Sequence, residues 1–228
     1  AKKYEVIYSD TDSMYVVAKK DASKEGKKLE KDVNDYFKKL VKQKFKRESF
    51  LELEFEKVYT KFLMPKLRGG TKGAKKRYAG LVKGKLEVVG MEAVRGDWTG
   101  LARRFQMELL VKVFKGEKLD TWIRKFVADF KKGKFDDELV YRKGLRKPLD
   151  EYRVNPPHVK AARKVKGFNS AVVEYIITED GPECTSHIKH KLDYKHYLDK
   201  QIKPIANTVL ELLGKDFDEL LQGQKTLF

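Results

Sequence analysis

The chain has 228 residues, with 51 Lys+Arg against 34 Asp+Glu and a formal charge of +17. An excess of that size points to a polyanionic partner, nucleic acid first and an acidic membrane surface second. With a mean hydropathy of −0.62 no stretch is apolar enough to span a bilayer. The single cysteine, Cys184, excludes an intramolecular disulfide and a cysteine-based zinc cluster. The opening residues carry no apolar leader, so no secretory signal is expected and a cytoplasmic protein is the simplest reading.

In chain order, residues 4–8 and 13–18 read as two strands rich in Val, Ile and Tyr, with Ser9–Asp12 as the hairpin between them. Leu29, Val33, Tyr36, Phe37, Leu40 and Val41 recur at helical spacing, which predicts a helix over 27–45. Residues 51–59 alternate strictly, which predicts a strand with Leu51, Leu53 and Phe55 on one face and Glu52, Glu54 and Glu56 on the other. Phe62–Leu67 is placed to pair with Arg77–Val82 across a glycine-rich loop at 69–73. Helix on sheet is therefore expected to about residue 95.

Past Gly96 the pattern turns mostly helical. Asp97 is the expected N-cap of a helix that ends at Gly116, and a second helix is expected over 119–131. Pro156-Pro157 precedes a short helix including Val159–Arg163. Ala171–Thr178 reads as a strand, Asp180-Gly181 as a turn, and 193–221 as two or three short helices.

Asp10 and Asp12 sit one residue apart on the first turn. Two carboxylates so placed suit Mg²⁺, a hard cation that takes a few carboxylate oxygens and completes its shell with water and substrate phosphate. The spacing alone leaves other readings open. Asp and Ser also favour plain turns, and an aspartyl-phosphate phosphatase uses the same strand-then-carboxylate arrangement. A calcium EF-hand loop is excluded, because its required Gly and Glu positions hold Tyr15 and Asp21.

A second motif argues for nucleic acid and against the phosphatase. From Lys57 to Leu86 there are ten Lys/Arg and no acid, and Lys75-Lys76-Arg77-Tyr78 stands between Gly73 and Gly80. Cations interleaved with glycines that let the backbone approach suit a phosphate-tracking surface better than a merely solvated face.

Together these residues resemble family B DNA polymerases. Tyr8–Ser13 is similar to the family's YGDTDS motif, with Ser9 in place of the usual Gly, and Lys75–Tyr78 matches its KKRY motif. Gly90–Trp98 resembles the palm-to-thumb junction. Pro157–Ala162 and the run through Asp193, Tyr194, Tyr197, Gln201, Ile202 and Pro204 resemble thumb landmarks. The likeness is nearest to bacterial polymerase II-type enzymes and their archaeal kin.

The resemblance implies an α+β chain: the C-terminal part of a palm over 1–95, an antiparallel sheet with a helix, then a mainly helical thumb over 96–222. It implies that Asp10 and Asp12 serve two Mg²⁺ ions, and that Lys75, Lys76, Arg77 and Tyr78 hold primer–template DNA. Arg146, His158, Lys160 and Arg163 become thumb contacts. The family's other catalytic aspartate, in a DxxSLYPS motif, does not occur in these residues, nor do the fingers or exonuclease segments. A larger polymerase subunit carrying them is the expected partner, with dNTP as substrate and a nucleoid-associated location. Gln224, Leu227 and Phe228, in a tail over 223–228, resemble the peptide by which polymerases dock on sliding clamps. The alternative is a non-catalytic DNA-binding or clamp-tethering accessory subunit.

Overall fold

The computed structural model describes residues 4–66 and 73–222. These fall into two compact units. The first takes the described residues up to Phe62 plus Gly80–Glu87, and the second takes the described residues of 63–79 and from Val88 onward.

The first unit opens with an antiparallel hairpin of β1 (Glu5–Asp10) and β2 (Ser13–Val17), in which Tyr8 faces Tyr15 and Asp10 faces Ser13, with a register shift between Val6 and Tyr8. Helix α1 (Ala22–Phe45) follows, five residues earlier in onset than the apolar spacing predicts. The Asp21 carboxylate sets that start by accepting the Lys24 amide at 3.1 Å, the side-chain capping that satisfies an otherwise orphaned N–H. Leu29, Val33, Phe37, Leu40 and Val41 are half-buried, while Tyr36 is exposed.

Residues 51–59 correct the sequence expectation: they form no strand. The alternation holds from residue 52, with Leu53 and Phe55 half-buried and Glu52, Glu54 and Glu56 exposed, but Leu51 is exposed. The backbone bonds to side chains of α1 instead of to another strand. The Asn34 amide accepts the Leu53 N–H at 2.8 Å and donates to the Leu53 carbonyl at 2.9 Å, and Glu30 accepts the Phe55 N–H at 3.0 Å. The Phe55 ring lies over Gly26 of α1, where a side chain would have no room.

Strands β3 (Lys61–Leu63), β4 (Tyr78–Val82) and β5 (Lys85–Val89) form a three-stranded sheet in that order. The expected pairing of residues around 62 with those around 80 is present, but it is shorter than predicted. Most of the glycine-rich loop at 69–73 lies outside the described residues.

In the second unit, helix α2 (Gly100–Lys115) is capped by Thr99 and not by Asp97. The Thr99 hydroxyl accepts the Ala102 N–H at 3.3 Å and donates to Gln201 at 3.0 Å, whereas Asp97 is drawn aside into a bidentate pair with Arg95 at 2.7 and 3.0 Å. Helix α3 spans Leu119–Lys131, as its apolar spacing predicts, and α2 ends at Gly116. Beyond come β6 (Tyr141–Gly144), α4 (Pro157–Arg163), β7 (Val172–Thr178) and β8 (Gly181–Cys184), the strands forming an antiparallel sheet in the order β6-β7-β8. The C-terminal run is more broken than expected: α5 (Tyr194–Tyr197), a π turn at Leu198–Ile202, α6 (Lys203–Leu210), a 3₁₀ turn and α7 (Phe217–Gln222).

These elements enclose one core that includes Phe105, Leu109, Ile123, Phe130, Tyr197, Ile205 and Phe217. Each such side chain contributes about 1.5–3 kcal/mol on burial. Phe105 stacks on Trp122 at 5.2 Å and packs against Phe126 at 4.9 Å, which fixes α2 against α3. With helices on antiparallel sheets, the α+β class holds. Among the described residues no helix is long and apolar enough to cross a membrane.

Candidate functional site

In the first unit, Asp10 ends β1 and Asp12 occupies the turn that follows. The turn is tight: the Asp12 N–H donates to the Asp10 carbonyl at 2.7 Å, and the Ser13 hydroxyl donates to the same carbonyl at 3.3 Å. Between them Thr11 takes a left-handed conformation, φ 53°, which is strained for a β-branched residue. Tyr8 and Tyr15 carry the hairpin on an aromatic cluster, their rings 5.4 Å apart, with Tyr15 5.4 Å from Phe62 and 6.0 Å from Tyr59. Asp10 is half-buried and Asp12 exposed. Carboxylate oxygens on a rigid turn, one of them presented to solvent, match the donor chemistry of a hard divalent cation.

In the second unit, Lys75 and Lys76 are exposed, and Arg77 and Tyr78 are half-buried. Lys76 is left-handed, φ 57°, so the motif is a fixed bend leading into β4. Gly90, φ 61°, lies with its α-carbon so close to the Lys76 carbonyl that a side chain at residue 90 would fall on that oxygen. The Arg77 guanidinium donates to the buried Glu92 carboxylate. The acid-free window of 57–86 is less uniform than the sequence implies, because Lys57 is paired with Glu87 at 2.8 Å in the first unit. That hydrogen bond pushes the lysine pKa up and holds the Glu87 carboxyl below its usual range.

The other expected basic residues lie around α4 and the loop before it. Arg146 lines a cavity of about 320 Å³ with Gly96, Asp97, Arg142, Lys143, Gly144 and Leu145. Lys160 is exposed on α4. Arg163 is exposed but folds back on its own chain, its guanidinium donating to Asn155, to the Leu149 carbonyl at 2.6 Å and to the Tyr152 carbonyl at 3.1 Å. His158 stands edge-on to Tyr152 at 6.2 Å. Partial burial, helped by the nearby Lys143 charge, pushes its pKa down. Gln224, Leu227 and Phe228 lie outside the described residues.

Two clusters escaped the sequence reading. Glu92 and Gln106 meet behind Arg77, and only the place of Glu92 inside Gly90–Trp98 hinted at it. Asp180, Glu183 and His190 converge at metal-ligand spacing. There, however, Lys164 already supplies the positive charge, 2.9 Å from Asp180 and 3.8 Å from Glu183. Burial pushes the Glu183 carboxyl up, but the Lys189 and His190 amides and the His190 ring outweigh it and hold its pKa at about 2.

The hairpin presents paired carboxylates and the bend presents exposed cations on a chain of charge +17, donor sets that suit a divalent cation and a polyanion respectively. The comparisons with known proteins define the chain further. The family model for DNA polymerase family B matches residues 1–212. DNA polymerase II of Escherichia coli K12 is 40% identical over a 249-residue alignment that takes in 100% of this chain and 32% of that protein. DNA polymerase 2 of Aeropyrum pernix is 33% identical over 98% of this chain and 27% of its own length. A solved family B DNA polymerase from the hyperthermophilic archaeon Pyrobaculum calidifontis is similar over 94% of this chain and 28% of that one, with a TM-score of 0.62 and 28% identity. The chain belongs to DNA polymerase family B. It spans about a third or less of the length of these relatives.

Proposed function

We propose that this chain is one part of a template-directed DNA polymerase, comprising the C-terminal portion of the palm and the thumb. The observation that carries the reading is the carboxylate hairpin, the Lys75–Tyr78 bend and the Gly90–Trp98 junction occurring in order within the family-matched region. Asp10 and Asp12 are the candidate metal ligands and catalytic residues. Magnesium bound there would neutralise charge on the primer 3′ oxygen and on the nucleotide phosphates. The strained Thr11 turn keeps the Asp12 carboxylate directed outward, so its ligand oxygens need no rearrangement before use.

Lys75–Tyr78 is the candidate contact to the primer–template duplex. Lys143 and Arg146 with Lys160 offer positive charge to the duplex backbone from the thumb, whereas Arg142 is paired with Glu174 at 2.8 Å. Arg163, committed to backbone carbonyls, acts by fixing the loop before α4. His158 contributes little charge near neutral pH, since its pKa is pushed down. The remaining catalytic aspartate, the fingers and the exonuclease are assigned to a larger partner chain, with which this one is active. The Gln224–Phe228 tail is assigned to a sliding clamp. A cytoplasmic, nucleoid-associated location follows from the proposed substrate.

Primer extension tests the reading. Mixing this chain with a chain carrying the other family segments should give Mg²⁺-dependent extension that neither shows alone, and Asp12→Ala should abolish it. Extension undiminished by Asp12→Ala would remove the catalytic assignment. Duplex binding without any effect on the partner's extension rate would instead identify a non-catalytic accessory. Truncation before Gln224 should remove clamp stimulation and spare basal extension.

A further inference from the structure

Arg77 stands in the middle of a basic motif, yet its surroundings differ from those of its neighbours. Lys75 and Lys76 are exposed, whereas the Arg77 guanidinium meets Glu92, whose side chain is 9% exposed. The other Glu92 oxygen accepts from the Gln106 amide at 2.7 Å, and the Gln106 carbonyl accepts the Ala93 backbone N–H at 2.5 Å. Gln106 is itself buried on the inner face of α2. Arginine, carboxylate, amide and backbone thus form one chain of contacts from the basic bend to the thumb's first helix. The Arg77 Nε is buried and has no partner among the described residues, so the guanidinium is aimed at Glu92 at the expense of one of its own donors.

Charge accounting separates Arg77 from the lysines. The arginine and Glu92 cancel locally, and removing the arginine leaves the buried carboxylate uncompensated, which is strongly unfavourable. A phosphate approaching Arg77 would also approach the Glu92 carboxylate. Lys75 and Lys76 carry their charges on exposed side chains, and an exposed ammonium can displace counterions from a nucleic acid.

We propose that Arg77 is a positioning residue and not a phosphate contact. Glu92 and Gln106 anchor it to α2, and through it they fix the bend that presents Lys75, Lys76 and Tyr78 to the duplex. The proposal rests on the nucleic-acid reading above, and it divides the labour within that motif.

The salt dependence of binding separates the roles. The 228-residue chain is titrated with a labelled primer–template duplex over about 50–200 mM KCl, a range in which phosphate contacts dominate the slope of affinity against salt. Lys75→Gln and Lys76→Gln should each reduce that slope by about one. Arg77→Met should lower affinity by roughly tenfold at every salt concentration and leave the slope unchanged. Glu92→Gln should reproduce that loss, and the double variant should lose no more than either single one. Arg77→Lys should recover thermal stability, by restoring a charge beside Glu92, without recovering affinity, because an ammonium lacks the planar fork. A merely structural role would restore both together. A slope reduced by about one in Arg77→Met, or additive losses in the double variant, would overturn the proposal. Absence of salt-dependent binding by the unaltered chain would overturn the nucleic-acid reading instead. The pairing itself is then still decided by melting temperatures, which should drop less in the Arg77→Met/Glu92→Gln double variant than the two single drops combined.

Discussion

The Lys76 carbonyl occupies the space that a side chain on Gly90 would need. This contact ties the left-handed bend of the basic motif to the turn that leads toward α2, and it makes Gly90 a structural requirement of that motif. Gly90 also has φ 61°, a conformation that costs an L-residue with a side chain about 1–2 kcal/mol. Gly90→Ala should therefore destabilise the chain by more than that figure, since the carbonyl must also move. Duplex affinity should fall with it. Gly96→Ala is the matched control: an added methyl there meets nothing within 4 Å, and both stability and affinity should stay near those of the parent. Thermal unfolding and duplex titration of the pair read the difference.

Asn34 should prove the main anchor of the extended segment 51–59. Its amide makes both a donor and an acceptor bond to Leu53, at 2.9 and 2.8 Å, and so replaces a strand neighbour. Asn34→Ala leaves two backbone groups without those partners, at about 1–3 kcal/mol for each that stays out of water. Asn34→Asp keeps the acceptor but sets a carboxylate oxygen against the Leu53 carbonyl, so it should also destabilise. Hydrogen exchange at the Leu53 amide, faster in both variants while α3 amides stay protected, is the expected result.

That segment also shows where sequence reading reaches its limit. Alternation at 52–56 reports which side chains face inward, and it did so correctly for Leu53 and Phe55. It carries no information about what bonds the backbone, and here side chains of a helix do so. Asp97 is a second case: as a cap candidate it is as good as Thr99 by residue type, and the choice falls to tertiary partners, Arg95 for one and Gln201 for the other. The long periodic helices α1 and α3 were legible because burial of one face dictates their pattern. The carboxylate turn and the basic bend were legible as residue types at close spacing. The Arg77–Glu92–Gln106 chain was not, because it joins residues up to 29 positions apart through a packing that no local pattern encodes.

Acid should weaken the second unit through Glu183. Its side chain is 3% exposed, and the Lys189 and His190 amides, with the His190 ring, hold its pKa at about 2 against the upward push of burial. A carboxyl whose folded pKa is depressed contributes stability that is fully present above its unfolded value, near 4.5, and is lost as pH falls toward 2. The burial of His158 and His196 lowers their pKa values, so these rings favour the folded state when neutral, and their contribution falls as pH drops below the unfolded histidine value near 6.5. Stability should therefore decline in two stages on acidification. Glu183→Gln should lower stability at pH 7 by about 1–3 kcal/mol, because the acceptor loses its charge, and should flatten the lower stage while leaving the upper one. Melting temperatures from pH 7 to pH 3 test both statements.

The turn at Thr11 stores strain that a different residue would release. With φ 53°, a β-branched side chain carries a left-handed penalty of about 1–2 kcal/mol, and its hydroxyl recovers little through a 3.4 Å contact to the Asp10 carboxylate. Asparagine tolerates this conformation. Glycine tolerates it better still, but it gains roughly 0.5–1 kcal/mol of chain entropy in the unfolded state. Thr11→Asn should accordingly raise stability by about 1 kcal/mol, and Thr11→Gly by less. Thr11→Val, which keeps the branch and loses only the hydroxyl, should change little. Glycine loosens the turn, so in the proposed polymerase assembly Thr11→Gly should lower primer extension despite its gain in stability, whereas Thr11→Asn should largely retain it. Extension rates that simply follow melting temperature across the three variants would show that the rigidity of the turn plays no part in presenting Asp12.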